Sequence, residues 1–358
     1  MKILLLGEFS ALHKNLKEGL VSLGHDVSIA SSGDGWKQIP CDIELGSSRK
    51  NILGKIEKVY KLIRVVPKLK DYDIVQCISP VLFPRFLGIN KFIFSYILRN
   101  NKKIFLVASG STPNITAIAD FCEKDFKYKE LYREIKKLYS PMWGQSSAGR
   151  EYNKWFLENI NGVIPIMYEY AQGFRDINYS KLCNTIPIAI NTDNIQYKSN
   201  IVNKKVVFFH GLNAEGIKGT PLIREALEKL KLNYPNEVEI IIDGKMPLNT
   251  YLKLLERINV MVDQAYYVSY GLNSLYNLAL GKIVVGGAHK ECLDEYNLKT
   301  SPIFSIEPSV ENIYLTLVSI LHNKDKIEEY GLQSREFTVN NHNYIDIAKK
   351  YIDTWQNK

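Results

Sequence analysis

The sequence predicts an α/β protein built from two Rossmann-like domains, each a parallel sheet covered by helices on both faces. Three observations predict it. Short, largely apolar runs such as Ile3–Leu6, Ile74–Cys77 and Val260–Val262 alternate with longer stretches whose apolar residues recur every three or four positions. The alternation occurs twice, on either side of a polar, Asn-rich stretch at residues 189–204 (AINTDNIQYKSNIVNK), which reads as an interdomain linker. At 358 residues and 46% hydrophobic content, the chain can bury two cores.

The first series begins with a strand at Lys2–Leu6. A helix follows at His13–Leu23, with Leu16, Leu20 and Leu23 on one face, and Gly24 ends it. Val27–Ala30 is a strand. Asn51–Lys70 is a helix with Ile52, Ile56, Val59, Ile63 and Val66 inward and lysines outward. Ile74–Cys77 is a strand, Phe86–Arg99 a helix, Lys103–Val107 a strand, and several helices follow to about Leu157. Gly162–Ile166 and Thr185–Pro187 read as later strands. The second series runs through strand Val206–Phe209, helix Pro221–Leu232, strand Val238–Ile242, helix Leu248–Ile258 and strand Val260–Val262. A polar loop, a turn at Gly271, a helix of about ten residues and a strand at Ile283–Val285 complete it. Helices at Val310–Leu321 and Ile345–Trp355 end the chain. The expected division is 1–190 and 191–340, with 341–358 a helix that packs back on the first domain. Ligands of such sheets lie at the carboxyl ends of the strands, and in a two-domain protein that points to the cleft between them.

Composition narrows the chemistry. Five scattered cysteines without a CxxC pair, and six histidines without HxxxH or HExxH, argue against a disulfide framework and a zinc site. The start MKILLLGEF is too short in its apolar run for a signal peptide, and no segment has the roughly 18 apolar residues of a spanning helix. A cytoplasmic location is expected. Residues 1–150 hold 24 Lys and Arg against 14 Asp and Glu, a balance of +10, whereas residues 151–358 hold 22 against 24. A basic first half suits nucleic acid, an anionic membrane surface, a phosphate-bearing substrate or nothing more than solvent.

Three loops follow strands and open helices. Gly7-Glu8-Phe9-Ser10 lacks both the GxGxxG and the GxxxxGK[ST] pattern, so it is either a ligand contact or an ordinary turn. His210 to Thr220 (HGLNAEGIKGT) contains Gly211, Lys218, Gly219 and Thr220; its backbone donors and flexible ammonium suit a phosphate. The stretch from Asp263 to Asn277 places Gln264, Ser269, Tyr270, Gly271, Leu272, Asn273, Ser274, Tyr276 and Asn277 between two buried strands. That density of polar groups exceeds what helix capping requires. The N-terminus of a helix starting near Gly271 would offer amides and a positive dipole end to a diphosphate. Trp143, Trp155 and Trp355 read as core or interdomain packing. The mixed aromatic and basic stretch Leu82–Lys103 reads as a buried helix with a basic end, the alternative being a membrane-surface contact. The only DxD, Asp71-Tyr72-Asp73, precedes a strand and so lies at the wrong end for a ligand.

Together these segments resemble the retaining glycosyltransferases of GT-B fold, specifically glycosyltransferase family 4. MKILLLGEFSALHKNLKEGLVSLGHDV resembles the family's opening strand, acceptor-side loop and helix. CNTIPIAINTDNI resembles the interdomain "IPNGVD" crossing, and HGLNAEGIKGT the "G-R-x-x-x-x-K-G" donor loop. VSYGLNSLYNLALGKIVV resembles "E-G-F-G-L-x-x-x-E-A-M-A-x-G-K-P-V". The resemblance implies transfer of a sugar from a nucleotide-diphosphate donor to a glycan acceptor, with retention of configuration and no required metal. It implies that Lys218 binds the diphosphate and that Gly271 and Leu272 present backbone amides to phosphate and sugar. It places Gly7, Glu8, Phe9 and Ser10 on the acceptor side. The family's arginine and two glutamates have no counterpart: Leu212, Val268 and Tyr276 stand in their places. Losing a carboxylate beside the sugar removes a charged hydrogen bond worth around 1.5–3 kcal/mol, and Asn273, Asn277 or Gln264 are the candidates to replace it. No catalytic residue is identified. A nucleotide sugar and a glycan, lipid-linked because the first half is basic, are the expected partners, with peripheral membrane contact and no nucleic acid. The rival reading is a catalytically silent relative that binds a nucleotide sugar or supports a partner enzyme. A nucleotide-sugar epimerase lacks its expected acid and base groups here.

Overall fold

Each predominantly apolar run becomes a buried strand, because a strand covered on both faces favours apolar side chains on both. The computed structural model describes all residues except 35–38, 47–59, 111–114, 138–142, 213–217, 245 and 247. In chain order the first elements are β1 (Lys2–Leu6), α1 (Leu12–Ser22), β2 (Asp26–Ser31), β3 (Ile43–Glu44), β4 (Ile74–Cys77), α2 (Ile89–Arg99), β5 (Lys103–Ala108), α3 (Thr116–Lys124), α4 (Lys129–Lys137), α5 (Ser147–Asn159), β6 (Gly162–Pro165) and α6 (Tyr168–Asp176). After them come β7 (Val206–Gly211), α7 (Thr220–Asn233), β8 (Val238–Asp243), α8 (Leu248–Arg257), β9 (Val260–Val262), α9 (Leu272–Ala279), β10 (Ile283–Gly286), α10 (Lys290–Glu295), β11 (Phe304–Ser305), α11 (Val310–His322), α12 (Ile327–Asn341) and α13 (Tyr344–Asn357).

Two sheets result, both parallel in every pairing. One has the order β3-β2-β1-β4-β5-β6 and the other β11-β10-β9-β7-β8. The chain accordingly groups into two units: Met1–Phe126 with Ser140–Ala189 and Tyr344–Lys358, and Lys127–Tyr139 with Ile190–Asn343. In the first, Ile3, Leu5, Leu16, Leu20 and Phe105 form one core with Tyr344, Ile347, Tyr351 and Trp355 of the last helix. α13 can lie this close because Gly19 of α1 faces the Tyr344 carbonyl, where a Cβ would stand 2.2 Å away. In the second, Val206, Phe208, Val260, Val262 and Ile283 of the sheet pack with Ile223, Leu227, Ile313 and Leu317 of α7 and α11. Among the described residues no helix is long and apolar enough to cross a membrane.

Several expectations are corrected. No strand forms at Thr185–Pro187. The chain runs beside β6 with one bridge, Val163 to Leu182, and a bond from Ile186 N–H to the Pro165 carbonyl, 2.9 Å. Pro165 and Pro187 have no N–H to continue a ladder. The helix expected at Phe86–Arg99 is broken, since Leu87 (φ 50°) and Gly88 are left-handed and α2 begins only at Ile89. Of the helix expected at Asn51–Lys70, residues 51–59 lie outside those described, and Val66–Lys68 is a 3-10 turn. The Asn-rich stretch is no free linker. Asn200 and Asn259, both buried, exchange amide hydrogen bonds: the Asn200 side chain donates to the Asn259 carbonyl (2.9 Å) and Asn259 Nδ2 donates to Asn200 Oδ1 (2.9 Å). Residues 127–139 group with the second unit because Lys127 Nζ and the Tyr128 hydroxyl both donate to Glu307.

Candidate functional site

The second sheet gathers polar side chains at the carboxyl ends of its central strands. Asp263 follows β9 directly and is the hub. Lys218 Nζ donates to its Oδ1 at 2.6 Å, Asn273 Nδ2 to the same oxygen at 2.8 Å, and Ser274 Oγ to Oδ2 at 2.6 Å. The aspartate is 3% exposed and the lysine 13%. Burial pushes the Asp263 carboxyl up. The Lys218 charge and the hydrogen bonds from Lys218, Ser274 and Asn273 more than offset it, so the group is held below the usual carboxylate range. Lys218 is thus drawn to the first turn of α9. That turn starts at Gly271, which has no side chain to cap it. Its leading N–H groups and dipole therefore stand open beside an ammonium, which is the electrostatics an anion needs.

Local sequence explains how the lysine is placed. Gly219 is left-handed (φ 78°), and a Cβ there would meet the Tyr266 ring at 2.9 Å. Only glycine combines that conformation with that approach. The Lys218 carbonyl meanwhile accepts from Ala265 N–H, 2.9 Å. His210, fully buried in β7, ties the assembly from below. Its Nδ1 donates to the Val262 carbonyl at 2.8 Å, which leaves Nε2 to accept from the Thr220 hydroxyl at 2.9 Å. Burial lowers its pKa to about 4, so the ring stays neutral. Tyr251 of α8 donates to Asn273 Oδ1, 2.9 Å.

The structure sorts the residues expected at the donor site. Lys218, Asn273 and Ser274 converge with Asp263, and Gly271 and Leu272 open the helix beside them. Asn277 lies one turn on, fully buried, with its amide donating to the Asn273 carbonyl at 2.9 Å. Its Oδ1 has no partner among the described residues. Gly219 shapes the loop. The remainder sit elsewhere. Thr220 is buried and engaged by His210, so it is an internal staple. Tyr270 is a core residue: its hydroxyl meets His342 Nε2 at 3.0 Å, and its ring packs with Tyr296 and Phe337. Gln264 closes its own loop by donating to the Ser269 carbonyl, 2.8 Å. Gly211 ends β7 and is buried, and Tyr276 is half-buried against Ile190 and Ile195. Gly271 is extended (φ −110°, ψ −174°), so no left-handed turn occurs there. Residues 213–217 of the loop lie outside those described. Sequence reasoning missed His210 and Tyr251, whose partners lie 52 and 22 positions away; no local pattern marks such pairs.

The first unit has its own strand–loop–helix junction at residues 7–10. Gly7 is left-handed (φ 90°), and a Cβ there would meet Ile78 at 2.5 Å. The Glu8 carboxylate accepts from the N–H groups of Phe9 (2.7 Å), His13 (3.2 Å) and Lys14 (2.9 Å). It therefore caps α1 and fills the anion position itself, rather than facing a ligand. Burial nonetheless pushes its pKa up, outweighing those three bonds. Ser10 N–H donates to Asp34 Oδ2 at 2.8 Å, and the Phe9 ring covers Gly110. The buried His13 meets the Gly7 carbonyl through Nδ1 at 2.7 Å, and burial lowers its pKa to about 4.

No family model matches the chain, and no curated protein matches it. Solved structures do. HepE of Anabaena, in complex with UDP and glucose, matches over all of both chains with a TM-score of 0.65 at 12% identity. Sucrose-phosphate synthase from Thermosynechococcus elongatus matches over 100% of this chain and 99% of its own, with a TM-score of 0.64 at 13% identity. WaaG, a glycosyltransferase involved in lipopolysaccharide biosynthesis, matches over 99% of this chain and 100% of its own, with a TM-score of 0.55 at 12% identity. The likeness is one of fold: two parallel-sheet α/β domains of the GT-B type, with the last helix belonging to the first domain.

Proposed function

We propose that the chain is a glycosyltransferase that binds a nucleotide-diphosphate sugar on its second unit and passes the sugar to a glycan acceptor held by its first. The observation that carries the reading is the Lys218 ammonium fixed by Asp263 beside the uncapped start of α9. A diphosphate seated there would draw Lys218 into a charge-assisted contact and accept from the α9 amides, while Ser274 and Asn273 continue to hold Asp263. These donors would stabilise the charge that grows on the leaving diphosphate, with no metal required. Asn277 Oδ1, buried and unpartnered among the described residues, is the acceptor proposed to meet the nucleotide sugar. HepE structures with UDP and with UDP-glucose support a nucleotide-sugar ligand for this fold. The finer reading is retaining transfer to a lipid-linked acceptor, as in polysaccharide, O-antigen or capsule assembly, at the cytoplasmic membrane face; the basic first half supports it.

One observation favours a second reading, a catalytically silent relative. Val268, where the family has the glutamate nearest the sugar, is buried and engaged in loop packing, with its carbonyl accepting from His289 N–H at 3.0 Å. Titration calorimetry with UDP, GDP, CDP and ADP, on the wild type and on Lys218→Ala paired with Asp263→Asn, tests the donor site. One nucleotide should bind and weaken in the variant. Absence of binding to all four by the folded protein defeats the proposal. Binding without turnover in the presence of acceptor glycolipids favours the silent relative.

A further inference from the structure

The segment read from sequence as a buried helix with a basic end is half outside. α2 buries Asn90, Ile93, Phe94 and Ile97. Phe92 on its other side is 68% exposed, and in the turn before it Phe86 is 56% and Leu87 93% exposed. The turn is tied down by the buried Asn90. Asn90 Oδ1 accepts from Phe83 N–H at 2.9 Å, and Asn90 Nδ2 donates to the Pro80 carbonyl at 3.0 Å. Phe83 is thereby drawn inward onto Phe94, and Leu87 is presented outward from a left-handed conformation that leucine rarely adopts. An apolar tip so presented is not explained by the fold of its own unit.

Its rim identifies the partner. The Arg85 guanidinium lies 5.2 Å from the Trp143 ring and the Lys91 ammonium 5.0 Å from the Trp155 ring. Both tryptophans pack on Tyr152. Between Asp73 and Asp120 the chain has no acidic residue, while Arg85, Lys91, Arg99, Lys102 and Lys103 are basic. A protruding apolar tip, flanked by tryptophans and long cationic side chains on a stretch of chain without a carboxylate, has the composition of the boundary between lipid headgroups and acyl chains. A bilayer bearing phosphate supplies the complementary charge. We propose that the Arg85–Gly88 turn and the outer side of α2 dock on an anionic phospholipid bilayer, with Phe86, Leu87 and Phe92 entering the acyl boundary and Arg85 and Lys91 meeting lipid phosphates. This deepens the membrane element of the function proposed above and stands independently of the donor site.

Flotation of the full chain with phosphatidylcholine vesicles, with and without phosphatidylglycerol, tests it. The wild type should float with phosphatidylglycerol vesicles, reversibly and less at high salt, and not with phosphatidylcholine alone. Leu87→Glu combined with Phe92→Glu should weaken binding about tenfold or more. Arg85→Gln and Lys91→Gln should each weaken it about fivefold. Should the double variant fail to fold, Leu87→Gly suits the left-handed turn and removes the tip while keeping the backbone. Nucleotide calorimetry without vesicles should be the same in wild type and variants, so failure of the docking surface and failure of the donor site read out separately. Vesicle binding that ignores these substitutions overturns the proposal. So does absence of vesicle binding together with a concentration-dependent dimer in sedimentation velocity that Leu87→Glu abolishes.

Discussion

The junctions after β1 and after β9 begin from the same parts and differ in one carboxylate. Each follows a buried strand at the carboxyl edge of a parallel sheet and leads into a helix. After β1, Glu8 turns back onto the start of α1 and satisfies its leading amides. After β9, the carboxylate of Asp263 turns away from the backbone of α9 and takes side-chain donors, Lys218, Asn273 and Ser274. The first junction is closed by its own anion, and the second leaves its helix start without a side-chain cap. Strand–loop–helix topology therefore marks where a ligand can lie, and the partner of the nearest carboxylate decides whether the helix start is already satisfied.

The strongest way to break this comparison is to remove Lys218. Asp263 would remain buried with no cation, and losing one partner of a buried pair costs about 3–5 kcal/mol. Chemical denaturation of Lys218→Ala should show a loss of that order, largely recovered by adding Asp263→Asn. A Lys218→Ala protein as stable as the wild type would mean the pair is not buried in solution.

The second test asks what the junctions share. Each has one fully buried histidine beside it, His13 in α1 and His210 in β7, whose pKa burial lowers to about 4. An unfolded histidine takes a proton near pH 6.5, and the folded ones refuse it until about 4. The unfolded state therefore binds more protons in that window, and stability falls as pH drops through it, by on the order of 3 kcal/mol for each ring. Denaturation midpoints measured from pH 7 to pH 4 should fall steeply. His13→Gln and His210→Gln should each flatten the slope. A flat wild-type profile would remove the claim that both rings are neutral.

Sequence and structure agree where the signal is local. β1, β4 and β9 match the strands expected for them residue for residue, because a largely apolar run buried on both faces has little competing pattern. The two-residue edge strands β3 and β11 are too short to show any period. α12 went unseen because Gly331, Ser334 and Thr338 are among the residues it buries; a Cβ on Gly331 would stand 2.4 Å from the Gly281 carbonyl. Close backbone packing selects small residues, and hydrophobic periodicity does not register them. At the site, Asn273 and Ser274 stood out within a density of polar groups, and Lys218 as the ammonium of a glycine-rich loop. Tyr270 beside them looked like a ligand group, yet its hydroxyl belongs to His342, 72 positions on. The staple between His210 and Thr220 was equally invisible, since neither residue announces a partner in the sequence.

A smaller effect sharpens the contrast between the two carboxylates. Asp263 is held below the ordinary carboxylate range, so the stability it contributes is present above about pH 3.8 and is lost as pH falls through its folded value. Glu8 is raised above its ordinary value by burial, so ionising it in the folded state costs stability as pH climbs through the range above 4.5. Carbon-detected NMR should find their pKa values displaced in opposite directions, Asp263 downward and Glu8 upward. Glu8→Ala would uncap α1 and cost about 1–2 kcal/mol, with no change in nucleotide affinity.

The least costly substitution is the most pointed. Asn277→Ala removes the hydrogen bond from Nδ2 to the Asn273 carbonyl and the side-chain contact with Tyr251, and also removes a buried oxygen that has no partner among the described residues. A made bond contributes about 1 kcal/mol, and an orphaned buried acceptor costs a comparable amount, so the net change in stability should stay within about 1 kcal/mol. If the orphan is kept for a ligand, nucleotide affinity should drop about tenfold in the same variant. Unchanged affinity with unchanged stability would make the oxygen a packing defect of α9. The open helix start and Lys218 would then have to recognise the donor unaided, and the second junction would differ from the first only in being uncapped.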